Sequence, residues 1–232
     1  MARRILSWLR WTLGIVVLLG ILVQVYFFAH LYWLRDHNPN MTTFMDARLA
    51  KMREIKPDAK LGFVWVPYEK ISDHLKRAIL TSEDDKFVDH DGFDWEGIQK
   101  AIEKNEKRGK LVAGGSTISQ QLSKNLFLSG ERSFLRKGQE AMITVMMEGV
   151  LDKQRILEIY LNVIEWGDGI FGAEAASRHY FGISASQLSP SQAARLAAMV
   201  PRPRFYDRNR NSTYLAKRAE AILRRMPQAN LP

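Results

Sequence analysis

A mainly α-helical domain behind a single N-terminal membrane-spanning helix is the fold class this sequence predicts, and three observations predict it. Residues 12–34 contain no Lys, Arg, Asp or Glu. Beyond residue 70, apolar side chains recur at helical spacing between recognisable caps. Only the run 61–67, Leu-Gly-Phe-Val-Trp-Val-Pro, reads convincingly as a strand.

Taken in order, the apolar run comes first. At about 1.5 Å per residue it makes a helix of roughly 35 Å, enough to cross a hydrocarbon layer of about 30 Å with some tilt. It is longer than a typical buried core helix. It also exceeds the h-region of a cleaved signal peptide, and no small-x-small site follows it. Arg3, Arg4 and Arg10 precede the run, whereas Arg35, Asp36 and His37 follow it with little net charge. The positive-inside rule therefore keeps residues 1–11 in the cytoplasm and sends everything after the span outward. Trp8, Trp11, Tyr26, Tyr32 and Trp33 include aromatic anchors for its two ends.

Residues 35–60 read as a polar, partly helical connector with breaks at Pro39 and Pro57, which places the outer domain at 61–232. After the strand-like run, 71–82 forms a helix with Leu75, Ile79 and Leu80 inward. A second helix covers 95–107, with Ile98 and Ile102 four apart. Thr117 and Gln120 stand at capping-box spacing ahead of the stripe Ile118, Leu122, Leu126. Residues 134–164 are helical with a break near Asp152. Ser189, Pro190 and Gln192 supply a cap, a first-turn proline and a box glutamine for a helix that Pro201 stops. Ser212 caps a last helix, 213–226, and Pro227 ends it.

The chain carries a net charge of +9; four arginines and no acid lie within residues 1–35, so the outer part is mildly basic at +5. Such a surface suits lipid head groups or a phosphorylated substrate, and for an exported, tethered domain nucleic acid is remote. There is no cysteine, so no disulfide is needed in an oxidising compartment.

Three segments hold candidate chemistry. Glu83, Asp84, Asp85, Asp89, Asp91 and Asp94 crowd around His90, where mutual repulsion would raise at least one carboxyl pKa toward that of a general base. A solvated acidic loop is the plainer reading of the same residues. Gly114 and Gly115 then open a helix with Gln120, Gln121 and Lys124 on a polar face, and a helix N-terminus favours anions. An ordinary amphipathic helix with a flexible lead-in fits equally, and the P-loop order is absent. Finally, Arg132, Arg136 and Lys137 precede Glu140. On an open surface the Arg136–Glu140 pair would contribute about 0.2–0.5 kcal/mol, whereas inside a cleft the cluster would face phosphate. Glu158, Tyr160 and Asn162 suit either support of that cleft or packing. The small-residue run 110–115 suggests a flap, on glycine content alone.

The motifs Glu83-Asp-x-x-Phe-x-x-His-x-Gly, Gly115-Ser-Thr-Ile-Ser-Gln-Gln-Leu-x-Lys-Asn-Leu-Phe, Arg136-Lys-x-x-Glu140 and Arg155-Ile-Leu-Glu-x-Tyr-Leu-Asn162 occur in that order. A later stretch holds Gly167, Gly172 and Tyr180-Phe-Gly. The set, over residues 61–226, resembles the peptidoglycan glycosyltransferases of glycosyltransferase family 51, as in the glycosyltransferase domain of class A penicillin-binding proteins. The resemblance implies a mainly α, lysozyme-like domain and, with no transpeptidase domain following, a monofunctional member.

It further implies that Glu83 deprotonates the 4-hydroxyl of the acceptor sugar of lipid II. That oxygen attacks C1 of the lipid-linked glycan, displacing undecaprenyl pyrophosphate with inversion to a β-1,4 bond. Glu140 is implied as the second catalytic carboxylate, and Ser116, Gln120, Gln121, Lys124, Arg132 and Lys137 as donor and phosphate contacts. Asp84, Phe87 and His90 are implied as supports. The implied partners are lipid II, the nascent lipid-linked glycan, the inner membrane with the catalytic domain on its periplasmic side, and other cell-wall synthesis or division proteins. No cofactor is required by this chemistry. A divalent cation, Mg or Mn, is compatible with the pyrophosphate and Glu140, but no closed metal site is spelled out. The sequence departs from the family at Ser119, often Thr, and at Gln139, where some members carry Lys. A glycan-cleaving enzyme shares the fold and the polymer, and a non-catalytic scaffold would need only the anchor. The amides and cations have an obvious use with pyrophosphate and little use on neutral glycan.

Overall fold

The computed structural model describes residues 2–109, 115–128 and 133–232. Helix α1, Ala2–Trp33, contains the apolar stretch Trp8–Trp33, which is long and apolar enough to cross a membrane. Its last turns also join the body of the protein: Leu31 and Leu34 are completely buried in the main core. Helix α2, Thr43–Ile55, is capped by Thr42, whose hydroxyl accepts the Met45 N–H, and packs against α5, Ile118–Phe127.

The capping signals act locally, and most operate as their chemistry dictates. Ser72 caps α3, Asp73–Glu83, by accepting the His74 N–H. Asp94 caps α4, Trp95–Arg108, by accepting the Gly97 N–H. Thr117 and Gln120 form the full reciprocal box at the start of α5, whose stripe Ile118, Leu122 and Leu126 is buried. The long region after residue 133 is two helices, α6 at Phe134–Val150 and α7 at Lys153–Val163, with Asp152 capping the second through the Arg155 N–H. A second capping box, Ser189 with Gln192, opens α9, Pro190–Met199. Ser212 precedes the last helix, α11 at Thr213–Arg225, but its side chain makes no cap bond there.

The strand expectation needs correction. Only Gly62–Phe63 pairs as β1, in parallel with β3, Ile170–Phe171, which in turn pairs antiparallel with β2, Glu165–Gly167. Further along the run, Val66 is paired by a side chain instead. Asn162 Oδ1 accepts the Val66 N–H at 3.0 Å and its Nδ2 donates to the Val66 carbonyl at 2.9 Å, so one amide takes the place of a neighbouring strand. Two short helices, α8 at Ala173–Phe181 and α10 at Pro203–Arg208, complete the chain.

Helix α9 is the hub of one half. Ala193, Ala194, Leu196, Ala197 and Ala198 are all fully buried, and their small side chains let α3 and α11 lie close against it. In the other half α5 packs on α6 and α7 through Leu122, Ile143, Met147 and Leu157. The junction of the two halves brings the C-terminus of α3 beside the N-terminus of α5. Helix α4 is bound more loosely, burying only Ala101 among its residues.

Candidate active site

At that junction a cleft of about 460 Å³ opens between the end of α3, one side of α4 and the segment leading into α5. Glu83, Asp84 and Ser116 line it, together with Lys104 and Arg225. Glu83 is the last residue of α3, and its side chain is only 11% exposed. The Gln121 amide donates to one carboxylate oxygen at 3.3 Å, and the Ser82 hydroxyl donates to the other at 3.0 Å. Arg218, on α11, lies 3.7 Å from that second oxygen and also donates to the Ser82 hydroxyl.

Burial pushes the Glu83 carboxyl up from its ordinary value. The hydrogen bonds from Gln121 and Ser82 and the charge of Arg218 pull it back, while Asp84 adds a smaller upward push. The balance stays upward, which is the direction a general base requires. Behind Gln121 stands Tyr160, fully buried, whose hydroxyl donates to the Gln121 carbonyl oxygen at 3.0 Å. Burial and the charges of Glu83 and Asp84 hold the Tyr160 proton far more tightly than usual. A tyrosine that must donate fixes the amide orientation and leaves the Gln121 N–H groups for Glu83.

Asp84 has a different assignment. Its carboxylate meets His90 Nε2 at 2.9 Å and accepts the Ile118 N–H at 3.0 Å, so it ties α3 to the first turn of α5. His90 Nδ1 accepts the Gly92 N–H, which puts the Nε2 proton toward Asp84. Phe87 is buried against the His90 ring, with the Lys153 ammonium 4.6 Å from its centroid. Gly92 has φ +88°, and a Cβ there would meet Thr144 Cγ2 at 2.7 Å, so the motif glycine is required twice over. The Thr117 hydroxyl donates to the Gly92 carbonyl at 2.7 Å and locks this loop to the α5 cap. Of the six crowded acids, Glu83 combines burial, a cleft position and a raised proton affinity, whereas the likewise buried Asp84 is committed to His90 and the Ile118 N–H. Asp94 caps α4, while Asp85 pairs with Arg225 at 3.0 Å.

The remaining sequence candidates divide. Gln121 reaches Glu83, whereas the Gln120 carbonyl oxygen accepts the Thr117 N–H and serves the capping box. Lys124 is half-buried on the same helix. Glu140 is 4% exposed on α6, with Arg136 at 3.1 Å and Lys137 at 2.5 Å from its two oxygens. It does not line the Glu83 cleft. Among the described residues no group of three or more His, Asp or Glu side chains could hold a metal ion, and the Glu140 oxygens already face two cations. Arg132, Gly114 and most of the flap segment 110–115 lie outside the described residues. Glu158 and Asn162 turn away from the cleft, to Tyr68 and Val66.

Sequence reasoning missed Ser82, Arg218, Glu148 and Lys153. Glu148 accepts from the Ser119 hydroxyl and from Lys153 at 2.9 Å, bracing the α5 start from α6. No local pattern announces such partners; Arg218 follows Ser82 by 136 residues.

Comparison with known proteins gives a consistent result. A family model described as Transglycosylase matches residues 50–227. The chain is 58% identical to the biosynthetic peptidoglycan transglycosylase of Janthinobacterium sp. (strain Marseille) over 230 residues, covering 99% of this chain and 98% of that protein. It is 56% identical to the protein of the same name from Herminiimonas arsenicoxydans over 99% and 98% of the two chains. It is 58% identical to that of Dechloromonas aromatica (strain RCB) over 98% and 92%.

Proposed function

The chain belongs to the transglycosylase family, and from that premise we propose that it is a peptidoglycan glycan-strand polymerase acting in bacterial cell-wall synthesis. Its substrates are lipid II and the growing lipid-linked glycan. The observation that carries this reading is the buried Glu83 carboxylate, oriented by Gln121 and Ser82 at the wall of a polar cleft beside the N-terminus of α5.

In the reaction Glu83 takes the proton from the 4-hydroxyl of the acceptor sugar as that oxygen attacks C1 of the donor. The bond from C1 to the pyrophosphate oxygen breaks on the opposite face, giving inversion and a β-1,4 linkage. Pyrophosphate is a good leaving group, so cations and N–H donors replace a strong acid at that end. Lys124, Lys137 and Arg132 are the cations we assign there, with Ser116 as a donor. The ion-paired Glu140 holds Arg136 and Lys137 in place on the donor side. Asp84, Phe87 and His90 keep α3 and α5 at fixed separation.

The substrate is held in a membrane, and the protein has the means to meet it there. Helix α1 packs along α6, and the first residues of α6, Phe134 and Leu135, are 99% and 88% exposed. Exposed apolar side chains beside an apolar anchor favour immersion in the same hydrocarbon layer. We assign the N-terminus to the cytoplasm and the catalytic domain to the periplasmic side of the inner membrane.

Incubation of the purified protein with lipid II, with and without Mg or Mn, tests the proposal. A ladder of polymerised glycan is expected, with Glu83→Gln reducing its rate by about 10²–10⁴-fold, the usual worth of a general base. Shortening of preformed glycan strands without polymerisation would instead identify a cleaving enzyme.

A further inference from the structure

Gln24 is the one carboxamide in the apolar run of residues 12–34. It lies nine residues before Trp33, or about 14 Å down the helix from that end. An amide at such depth has no water to bind and must find a protein partner. Its partner is Gln139 on α6. Each Nε2 donates to the other's Oε1 at 3.0 Å, closing a reciprocal ring of two hydrogen bonds.

The rest of the seam between anchor and domain is chemically different. Phe27 and His30 meet the Phe127 ring edge-on at 5.3 and 5.2 Å, and Leu31 and Leu34 enter the core. At its upper end Arg155 donates to the carbonyls of Leu34 and His37. Aromatic and aliphatic contacts tolerate small rotations and slides of one helix on another. A reciprocal amide pair is satisfied in one alignment only. Gln139 also immediately precedes Glu140, on the helix whose first turn carries Arg136 and Lys137.

We propose that Gln24 and Gln139 are a positioning pair that locks the rotational register of the anchor helix against α6, and thereby sets how the catalytic cleft sits over the membrane. The inference rests on the polymerase reading for its consequence, though not for its geometry. Neither residue touches substrate; the pair acts by holding α6 and the cleft at a fixed attitude to the bilayer that contains the lipid-linked sugars.

The test uses the full chain in lipid nanodiscs. The protein has no native cysteine, so Val16→Cys with Lys217→Cys gives two unique spin-label sites, one on the anchor and one on α11. A narrow distance distribution is expected in that background. Gln24→Leu and Gln139→Leu should each broaden it, and the combined variant should broaden it no further. Turnover of bilayer-embedded lipid II should show a KM raised about threefold to tenfold by either change, the scale of one interhelical polar contact, with kcat nearly unchanged. In detergent micelles, where there is no bilayer plane, all variants should match the parent. An unchanged distance distribution, multiplicative losses in the combined variant, or an equal loss in micelles would each overturn the proposal. If the parent polymerises nothing, the polymerase reading fails while the distance measurement still decides the interlock.

Discussion

Glu83 is made basic by what surrounds it, and its neighbours set how basic. Desolvation raises its pKa, while Gln121, Ser82 and Arg218 stabilise the ionised form and lower it. Removing a lowering partner must therefore raise the pKa further. The ascending limb of kcat/KM against pH should move to higher pH in Gln121→Leu and in Arg218→Ala, because that limb reports the free enzyme's base. Gln121→Leu should also lose about tenfold or more at neutral pH, since a hydrogen bond to a charged group contributes about 1.5–3 kcal/mol. A pH–rate profile on lipid II checks both; a limb moving to lower pH would contradict the assignment of Glu83 as the base. The same shift has a cost in stability. A carboxyl whose folded pKa is raised binds its proton more tightly in the native state, so stability falls as pH rises from the ordinary carboxyl range through the raised value, then levels off. Glu83→Gln abolishes that slope. Its urea midpoint should lie near the parent's under acid conditions and above it at neutral pH. At this scale the sequence supplied Glu83 through a motif, and its acidic neighbours were readable as a loop. Arg218 and Ser82 were invisible, because a contact across 136 residues leaves no periodicity to read.

Helix α5 shows why elements with local signals were legible and others were not. Its capping box spans three residues, and its core stripe follows the helical period, so both could be read directly from neighbouring letters. The three short strands contain two or three residues each, too few to display an alternating pattern. The run at 61–67 has strand composition, yet only Gly62 and Phe63 pair with a strand, and at Val66 an Asn162 side chain takes the partner's place. A sequence cannot show that substitution without the fold. The α5 cap also does more than end a helix, since Thr117 donates to Gly92 and so joins the acidic loop to the helix that carries Gln121. Thr117→Ala should cost about 1 kcal/mol from the cap alone, lowering the melting temperature by roughly 2–4 °C in a chain of this size. Thr117→Ser keeps the oxygen and should recover most of it. If Thr117→Ala instead matched the parent in melting and in turnover, the cap would have no part in holding the site.

Across the whole molecule, the long N-terminal helix and the catalytic body are one packed structure. The length and apolar character of the N-terminal helix were legible because hydropathy depends on composition alone. That Leu31 and Leu34 serve the core, whereas Leu18 and Leu19 stay outside it, was not legible, since the same residue type appears in both roles. Burying a leucine contributes about 1.5–3 kcal/mol, so these two contribute about 3–6 kcal/mol. That is a large share of the 5–15 kcal/mol typical of a folded domain. A chain beginning at residue 37 should therefore unfold at markedly lower temperature in detergent than one beginning at residue 24, although both lack a complete span. The shorter chain loses the Phe27 and His30 contacts with Phe127 as well, and leaves Arg155 without the Leu34 carbonyl. Equal melting temperatures would mean that the last turns of α1 only tether the domain. A difference of the expected size would mean that the enzyme's core extends into its own anchor, so that the attitude of the cleft toward its membrane-held substrate is fixed by folding.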